Sequence, residues 1–347
     1  MTGDLSRYGA VTSKIRAMFG NRLRREDYDR IAVMKSVSEV ADYLRAHPDW
    51  GRALESVDTV ALRRDRLETL LRRHSFAHFL RLFAYVERRD RLVMRYPVLT
   101  AEMEQIMRVT SLASSGNIGE YTFELPEYFK KFSRIQYNML SSVRTYDDLL
   151  EAVKYTDFHT ALERLRPLGG EFPSYFLIET QMRRSYYRSV GEMLRGRKGK
   201  AGVLLREATG IQADWENITT VERILRFYPS LLSDVFHYLV PAGAHLKPVE
   251  LKTMLSLEDA DSLREILKKT YYGPFLEGRD GDTLEKIGQL FLMGYYRRQM
   301  AGGTPSVFMP IAYINLYRNE LNNLVHIIES VRYGLAPEIT EKYLILL

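Results

Sequence analysis

Apolar residues along this chain follow a helical period, and one pattern of positions occurs three times. The three segments are residues 36–43, 142–149 and 256–263. Each begins with Ser and has apolar side chains at a spacing of three residues, namely Val37, Val40 and Tyr43, then Val143, Tyr146 and Leu149, then Leu257, Ala260 and Leu263. Only a helix brings residues at i, i+3 and i+6 to one side. The pattern therefore predicts the same helix in three copies.

The serine at the head of each copy predicts where that helix begins. A Ser side chain can accept a hydrogen bond from a free N–H group of the first helical turn. Glu39 stands three residues after Ser36 and completes a capping box, and Asp259 can do the same less well for Ser256. We expect helix starts at Ser36, Ser142 and Ser256.

Two further landmarks follow in the same order in every copy. A long middle helix is predicted to begin near Leu67-Glu68, Ile178-Glu179 and Leu284-Glu285. A five-residue motif then occurs at residues 102–106, 214–218 and 320–324. Its first residue is acidic, its fourth is an amide and its fifth is aliphatic, while the second and third positions vary. The first Ser and the last acid are 66, 72 and 64 residues apart in the three copies. Because a copy exceeds one hundred residues, each is a small helical domain and not a solenoid repeat.

The breaks between copies predict the domain boundaries. Small and helix-breaking residues cluster between Ser111 and Pro126 and again at residues 241–244. We predict a first helical repeat at 1–111, a linker at 112–126, a second repeat at 127–243 and a third at 244–347. Alternating strand patterns with hairpin turns are missing, so the fold class is all-α.

Composition limits the function classes. The 347 residues include no Cys, which excludes disulfides and thiolate chemistry. The start, from Met1 to Arg7, has no apolar core of the kind that a signal peptide needs, so we expect no export. The longest uncharged stretch, 299–317, contains Gly302, Gly303, Pro305 and Pro310, which break it as a membrane helix.

The net charge of +6 allows a nucleic acid, an anionic membrane surface or an acidic protein as partner. Arginine pairs such as Arg72-Arg73 are interleaved with Asp and Glu, which is typical of a solvated helix face. A basic helical nucleic-acid-binding protein stays an alternative, and it would require binding that weakens steeply with salt.

The candidate catalytic sites are weak. His74 and His78 have the i, i+4 spacing of two zinc ligands on one helix. A metalloprotease helix carries Glu beside the first His, where this chain has Ser75, and the sequence marks no third ligand. We interpret both as ordinary helix histidines and predict no metal or cofactor, with a metal-dependent hydrolase as a second alternative.

A phosphate-binding loop is excluded as well. Gly191 and Gly196 have its spacing, but Arg197 and Lys198 follow where Lys and Ser or Thr are required. The basic loop from Gly196 to Gly202 can still meet acidic side chains of a partner. We take four cations as candidate partner-binding residues: Arg195, Arg197, Lys198 and Lys200.

The remaining recurring polar and aromatic residues are interpreted as structural. Glu68, Glu179 and Glu285 fit the favourable dipole of a first helical turn. Asn217 and Asn323 are expected to bind a neighbouring helix end. The tyrosine pairs are expected to pack between helices and to border a partner surface: Tyr186-Tyr187, Tyr271-Tyr272 and Tyr295-Tyr296.

Together these motifs resemble the C subunit of the A/V-type ATPases of archaea and bacteria, whose eukaryotic counterpart is the d subunit of the V-ATPase. The resemblance runs from about Tyr8 to the C-terminus. It rests on residues 214–218 (DWENI), 239–243 (LVPAG), 269–272 (KTYY), Glu320, 323–324 (NL) and 334–339 (GLAPEI). In the first copy, Gln105 replaces the Asn of the others, and residues 47–50 (HPDW) stand where the later copies have 155–158 (YTDF) and 269–272.

The resemblance implies a funnel of three helical domains around a pseudo-threefold axis. It implies a non-catalytic rotor subunit of a V-type ATPase or ATP synthase, which lies on the cytoplasmic face of the membrane proteolipid ring. The funnel would receive the central stalk, built of D- and F-type subunits, and pass torque for ion transport. It also implies no active site, no small-molecule substrate and no nucleic acid.

Overall fold

Helices account for the regular structure of the chain, as the apolar spacing predicts. The computed structural model describes residues 2–60, 62–121, 123, 127–169, 171–241 and 243–347. These residues contain no β-strand, which confirms the all-α fold class. The α-helices are α1 (Thr2–Gly20), α2 (Arg25–Ala32), α3 (Val37–Ala46), α4 (Arg64–Phe83), α5 (Arg95–Ser114), α6 (Tyr137–Leu140), α7 (Tyr146–Ala152), α8 (His159–Glu163), α9 (Tyr175–Leu194), α10 (Gly199–Phe227), α11 (Pro248–Leu255), α12 (Ser262–Leu267), α13 (Gly273–Leu276), α14 (Leu284–Gly302), α15 (Phe308–Arg332) and α16 (Pro337–Glu341).

Short 3₁₀ segments connect several of these helices. They are Trp50–Ala53, Arg88–Asp90, Ile118–Glu120, Glu127–Lys131 and Pro229–His237. Parts of two predicted linkers lie outside the described residues, namely 122 and 124–126 in the first and Ala242 in the second.

The first predicted helix start is confirmed. Ser36 is the N-cap of α3, and its hydroxyl accepts a hydrogen bond of 3.2 Å from the backbone N–H of Glu39. The Glu39 carboxylate, however, accepts from the N–H of Lys35 at 3.0 Å, one residue before the predicted partner.

The other two predicted helix starts are wrong by a few residues. Helix α7 is capped by Thr145, which forms a capping box with Asp148, while Ser142 lies in the preceding turn. Two reciprocal hydrogen bonds make Thr145 the stronger start signal. In the third copy Ser256 directly follows the end of α11, and α12 begins only at Ser262.

The long middle and final helices of each copy are where the sequence places them. The middle helices α4 and α9 begin three residues before the predicted Leu67 and Ile178, and α14 begins at Leu284 itself. The final acidic motifs lie in α5, α10 and α15.

The chain forms two compact units. In the first, which holds the described residues up to Arg91 and from Gln289 onward, α15 packs against α1, α2, α3 and α4. Most residues of α15 are buried, and most of those buried residues are apolar, as expected for a central helix. In the second unit, from Leu92 to Gly288, α9 packs against both α5 and α10. The three-domain division and the pseudo-threefold axis stay predictions.

Candidate functional site

The acidic residue that closes each copy hydrogen-bonds to the beginning of another copy. We call Glu102, Asp214 and Glu320 the junction carboxylates, and all three are buried. Glu102 binds the start of the second copy, Asp214 the start of the third, and Glu320 the start of the first. The repeated acidic motif therefore supplies a buried hydrogen-bond acceptor that joins one copy to another.

Asp214 makes the fullest of these junctions. Its Oδ2 accepts hydrogen bonds from the N–H groups of Ala244, His245 and Leu246 at 3.1, 2.8 and 3.1 Å. The hydroxyl of Tyr272 donates a fourth at 2.6 Å. Gly243 lies so close that a Cβ there would collide with Asp214 Oδ1, so a larger residue would displace this carboxylate.

Glu320 repeats this arrangement with other donors. The indole Nε1 of Trp50 donates to Oε1 at 2.7 Å, and the N–H of Leu23 donates to Oε2 at 3.2 Å. Burial raises the pKa of Glu320 to about 8, and the two hydrogen bonds offset only part of that rise.

Glu102 is the least satisfied of the three. Its Oε1 accepts from the Ser133 hydroxyl at 2.8 Å and from the N–H of Arg134 at 2.6 Å. Its buried Oε2 has no hydrogen-bond partner among the described residues. Burial raises the pKa of Glu102, although hydrogen bonds from Arg134 and Ser133 oppose that rise.

The aromatic residue at one position of each copy differs in the same way. Trp50, Phe158 and Tyr272 stand at corresponding positions and are all buried. Trp50 and Tyr272 donate to the junction carboxylates Glu320 and Asp214. Phenylalanine carries no donor, so the second copy lacks that hydrogen bond.

The turn before this aromatic residue is shared by the second and third copies. The hydroxyls of Thr156 and Thr270 accept from the N–H two residues later, at 3.3 and 3.2 Å. In the first copy Pro48 takes this position, and the imidazole Nδ1 of His47 accepts from Trp50 N–H at 3.2 Å instead. The first copy thus reaches a similar turn with different chemistry.

The recurring amides hold chain segments that follow their helices. Asn217 exchanges two hydrogen bonds with the backbone of Val240, and Asn323 does the same with Ile345. Gln105 accepts a hydrogen bond from the hydroxyl of Tyr121 at 3.0 Å. The structural interpretation of Asn217 and Asn323 is right in kind, but their partners Val240 and Ile345 lie outside helices and are not helix ends.

His74 and His78 do have a third potential ligand nearby, contrary to the interpretation of the sequence. Asp49 Oδ1 lies 3.4 Å from His74 Nε2 and 3.2 Å from His78 Nε2, and all three side chains are buried. Tyr317 donates to Asp49 Oδ2 at 2.7 Å. Burial alone raises the pKa of Asp49, but the hydrogen bonds from His74 and Tyr317 and the adjacent imidazole of His78 outweigh this and hold the pKa well below its usual range.

The recurring glutamates of the middle helices are not a cluster. Glu68 pairs with Arg64, and Glu179 pairs with Arg183 and Arg223. Glu68 and Glu179 are buried one turn into their helices and pair with partly exposed arginines, so the predicted position in a first helical turn is wrong for these two. Glu285 is exposed in the first turn of α14.

Three of the four candidate basic residues border a cavity of about 530 Å³ in the second unit. Arg195, Arg197 and Lys198 lie on the connection between α9 and α10 and line this cavity, as does Arg206. Lys200 is exposed in the first turn of α10, so the predicted loop is shorter than Gly196 to Gly202. Their role as partner contacts stays a prediction.

The first part of the rejected phosphate loop is helical in this structure. Gly191 lies inside α9, so no glycine-rich loop spans Gly191 to Gly196. The tyrosine pairs pack as predicted, because all of their members except Tyr271 are buried.

Residues 11–343 match the family described as ATP synthase (C/AC39) subunit. The chain belongs to this family. Relatives named as the C subunit of A-type ATP synthase include one from Methanosarcina mazei, 22% identical, and one from Methanosarcina acetivorans, 24% identical; each match covers 99% of this chain and 94% of the relative. A third, from Thermococcus kodakarensis, is 19% identical over 97% of this chain and 90% of the relative.

Membership of the C/AC39 family confirms the resemblance and the assignment to A/V-type ATP synthases. It gives no support to the nucleic-acid-binding alternative. Within the part of the chain that the structure describes, none of the helices combines the length and the hydrophobicity of a membrane-spanning segment.

Proposed function

We propose that this chain is the non-catalytic central-rotor subunit of its ATP synthase, the socket between the central stalk and the membrane proteolipid ring. Its partners are the D- and F-type stalk subunits and that ring. It works as a peripheral protein on the cytoplasmic face, has no active site of its own, and passes torque for ion transport.

The junction carboxylates are the observation that supports this proposal most. Glu102, Asp214 and Glu320 link the first copy to the second, the second to the third, and the third to the first. A cyclic order of links is what three domains around an axis require. Buried hydrogen bonds also resist shear between the copies, as a torque-bearing part must.

The basic residues give this proposal a contact surface. Arg195 and Lys198 are exposed beside an open cavity, and Lys200 is exposed in the first turn of α10, so all three can meet carboxylates of a partner. We assign this surface to an acidic face of a stalk subunit.

Co-purification tests the proposal. The chain is expressed with the D- and F-type subunits of the same organism, one of them tagged, and the complex is weighed by native mass spectrometry. We expect a one-to-one assembly. Absence of a complex at micromolar concentrations would overturn the proposal.

Charge reversal tests the surface separately. The double variant Arg195→Glu, Lys198→Glu is expected to weaken stalk binding and increase its dependence on salt. The control Lys252→Glu alters an exposed lysine of α11 in the same unit and is expected to leave binding unchanged. Equal binding by both variants would reject this surface while leaving the rotor assignment intact.

A further inference from the structure

Three potential metal ligands meet in the core of the first unit. His74 and His78 lie one turn apart on α4, and Asp49 directly precedes the 3₁₀ segment Trp50–Ala53. Their donor atoms, one from each side chain, lie within 4.8 Å of one another. This is a cluster of two imidazoles and one carboxylate from two separate parts of the chain.

The spacing of these atoms suits a single ion. Asp49 Oδ1 lies 3.2 Å from His78 Nε2 and 3.4 Å from His74 Nε2. Atoms that share a tetrahedral Zn²⁺ at about 2.0–2.1 Å are about 3.3 Å apart. One donor atom of each of the three side chains lies within 4.8 Å of the other two. One ion can therefore reach all three with small side-chain adjustments.

The orientation of His78 is a second, independent observation. Only 2% of this residue is exposed, yet its Nε2 has no aligned hydrogen-bond partner in the described part of the chain. Asp49 Oδ1 is close enough to this nitrogen but lies off the hydrogen-bonding direction. A nitrogen that is aimed at an ion has this relation to a neighbouring ligand. His74 Nε2 still hydrogen-bonds to Asp49 Oδ1 at 3.4 Å, a contact that a bound ion would replace.

Two tyrosines hydrogen-bond to the ligand side chains at the atoms that face away from the cluster. Tyr313 OH lies 2.7 Å from His78 Nδ1, which leaves Nε2 to face the cluster. Tyr317 donates to Asp49 Oδ2 at 2.7 Å, which leaves Oδ1 to face it. Outer-shell partners of this kind fix the orientation of imidazole and carboxylate ligands in metal sites.

We propose that Asp49, His74 and His78 bind one divalent transition-metal ion, Zn²⁺. Two imidazole nitrogens and one carboxylate oxygen favour Zn²⁺ over Mg²⁺ and Ca²⁺, which prefer sites built from oxygen alone. Three protein ligands leave the fourth tetrahedral position to water. The ion would fasten the segment before Trp50 to α4, close to the junction between the third and first copies.

Metal binding by the full-length protein tests this proposal. Protein stripped with a chelator is titrated with Zn²⁺ in competition with a chromophoric chelator, and a parallel sample is loaded with Co²⁺. We expect one equivalent of each ion and the strong visible absorption of tetrahedral Co²⁺. Failure to bind one equivalent of Zn²⁺ at micromolar concentrations would overturn the proposal.

Substitutions show where the ion binds. Tyr313→Phe keeps the packing and removes the support of His78, so zinc affinity should fall by about 10–100-fold. The matched control is Tyr146→Phe, because Tyr146 is a buried tyrosine of the other unit whose hydroxyl donates to the backbone carbonyl of Leu162. Its zinc affinity should equal that of the unaltered protein, and equal affinities of the two variants would contradict the proposal.

Removal of a ligand completes the test. His78→Gln should abolish stoichiometric Zn²⁺ binding and the tetrahedral Co²⁺ absorption. The control His245→Gln removes an imidazole of the second unit, which pairs with Glu207, and should bind one equivalent as before. Persistent tight binding by His78→Gln would assign the ion to other residues and overturn the proposal.

Discussion

Trp50 donates its indole N–H to Glu320 at 2.7 Å, although 270 positions separate the two residues in the chain. In the same way, the hydroxyl of Tyr272 in the third copy donates to Asp214 in the second copy. These two hydrogen bonds show that the recurring aromatic and the recurring acid are partners from different copies. The repeat therefore encodes contacts between copies as well as the helices within each copy.

Glu320 should make stability depend on pH. Its pKa rises from 4.5 to about 8 on folding, so between these values the folded state keeps a proton that the unfolded state loses. This contribution to stability is complete below pH 4.5 and is lost as the pH rises through about 8. Relative to Glu320→Gln, which keeps a carbonyl acceptor, the unaltered protein should lose up to about 1.4 kcal/mol of unfolding free energy per pH unit in this interval.

Urea unfolding at pH 5, 6, 7 and 8 measures this difference. The exposed Glu338 provides the control, because Glu338→Gln should leave the pH dependence as it is. Parallel curves for the unaltered protein and Glu320→Gln would show that Glu320 is ionised throughout.

Asp214 should be the most costly junction carboxylate to remove. Asp214→Ala leaves three backbone N–H groups and the Tyr272 hydroxyl without their acceptor, and we expect a loss of about 3–5 kcal/mol in the free energy of unfolding. Asp261 is the control, because it forms an exposed ion pair with Arg226. Asp261→Ala should cost at most about 0.5 kcal/mol by urea unfolding, and similar losses for both variants would refute a special role for Asp214.

The second copy should gain stability from an added hydroxyl. Phe158 corresponds to Tyr272, whose hydroxyl donates to the junction carboxylate Asp214. Phe158→Tyr adds the missing hydroxyl, and the corresponding acceptor is Glu102 Oε2, which has no hydrogen-bond partner among the described residues. We expect a gain of about 1 kcal/mol in urea unfolding.

A second buried phenylalanine, Phe308, provides the control for the effect of adding a hydroxyl to a buried ring. Phe308→Tyr, in the tyrosine-lined core of the first unit, should be destabilising because no junction carboxylate is placed to accept from it. A loss of stability in Phe158→Tyr equal to that in Phe308→Tyr would contradict the correspondence between copies.

Gly288 should tolerate no side chain. A Cβ at this position would lie 2.8 Å from the ring of Trp215, where α14 approaches α10. Gly288→Ala should therefore cost about 1–3 kcal/mol through overpacking. Gly294, in the same helix, has only the end of the Arg298 side chain nearby, at 3.4 Å, so Gly294→Ala should raise the melting temperature while Gly288→Ala lowers it.

The sequence predicts most of the fold because helical periodicity and caps are local signals. Leu67, Ile178 and Leu284 mark their long helices within three residues. The helix start predicted at Ser142 is wrong because Thr145, three residues later, forms a complete capping box with Asp148. Periodicity fixes the buried face of a helix, but the side chains and backbone at its end decide where it starts.

The partners of the site residues are not predictable in the same way. Asp214 accepts from backbone N–H groups, which every residue except proline carries and which leave no mark in the sequence. Asp49 joins His74 and His78 only because the fold brings a segment 25 residues away onto α4. Sequence reasoning could find the histidine pair, but only tertiary structure shows the third ligand.

The measurement that tests the rotor account most directly is ATP-driven ion pumping by the complete complex in sealed vesicles. Complexes are assembled with the chain, without it, and with the purified chain added back. We predict that pumping is lost without the chain and restored when it is added, because torque then passes between stalk and ring again. Pumping at the same rate in its absence would contradict the proposed role.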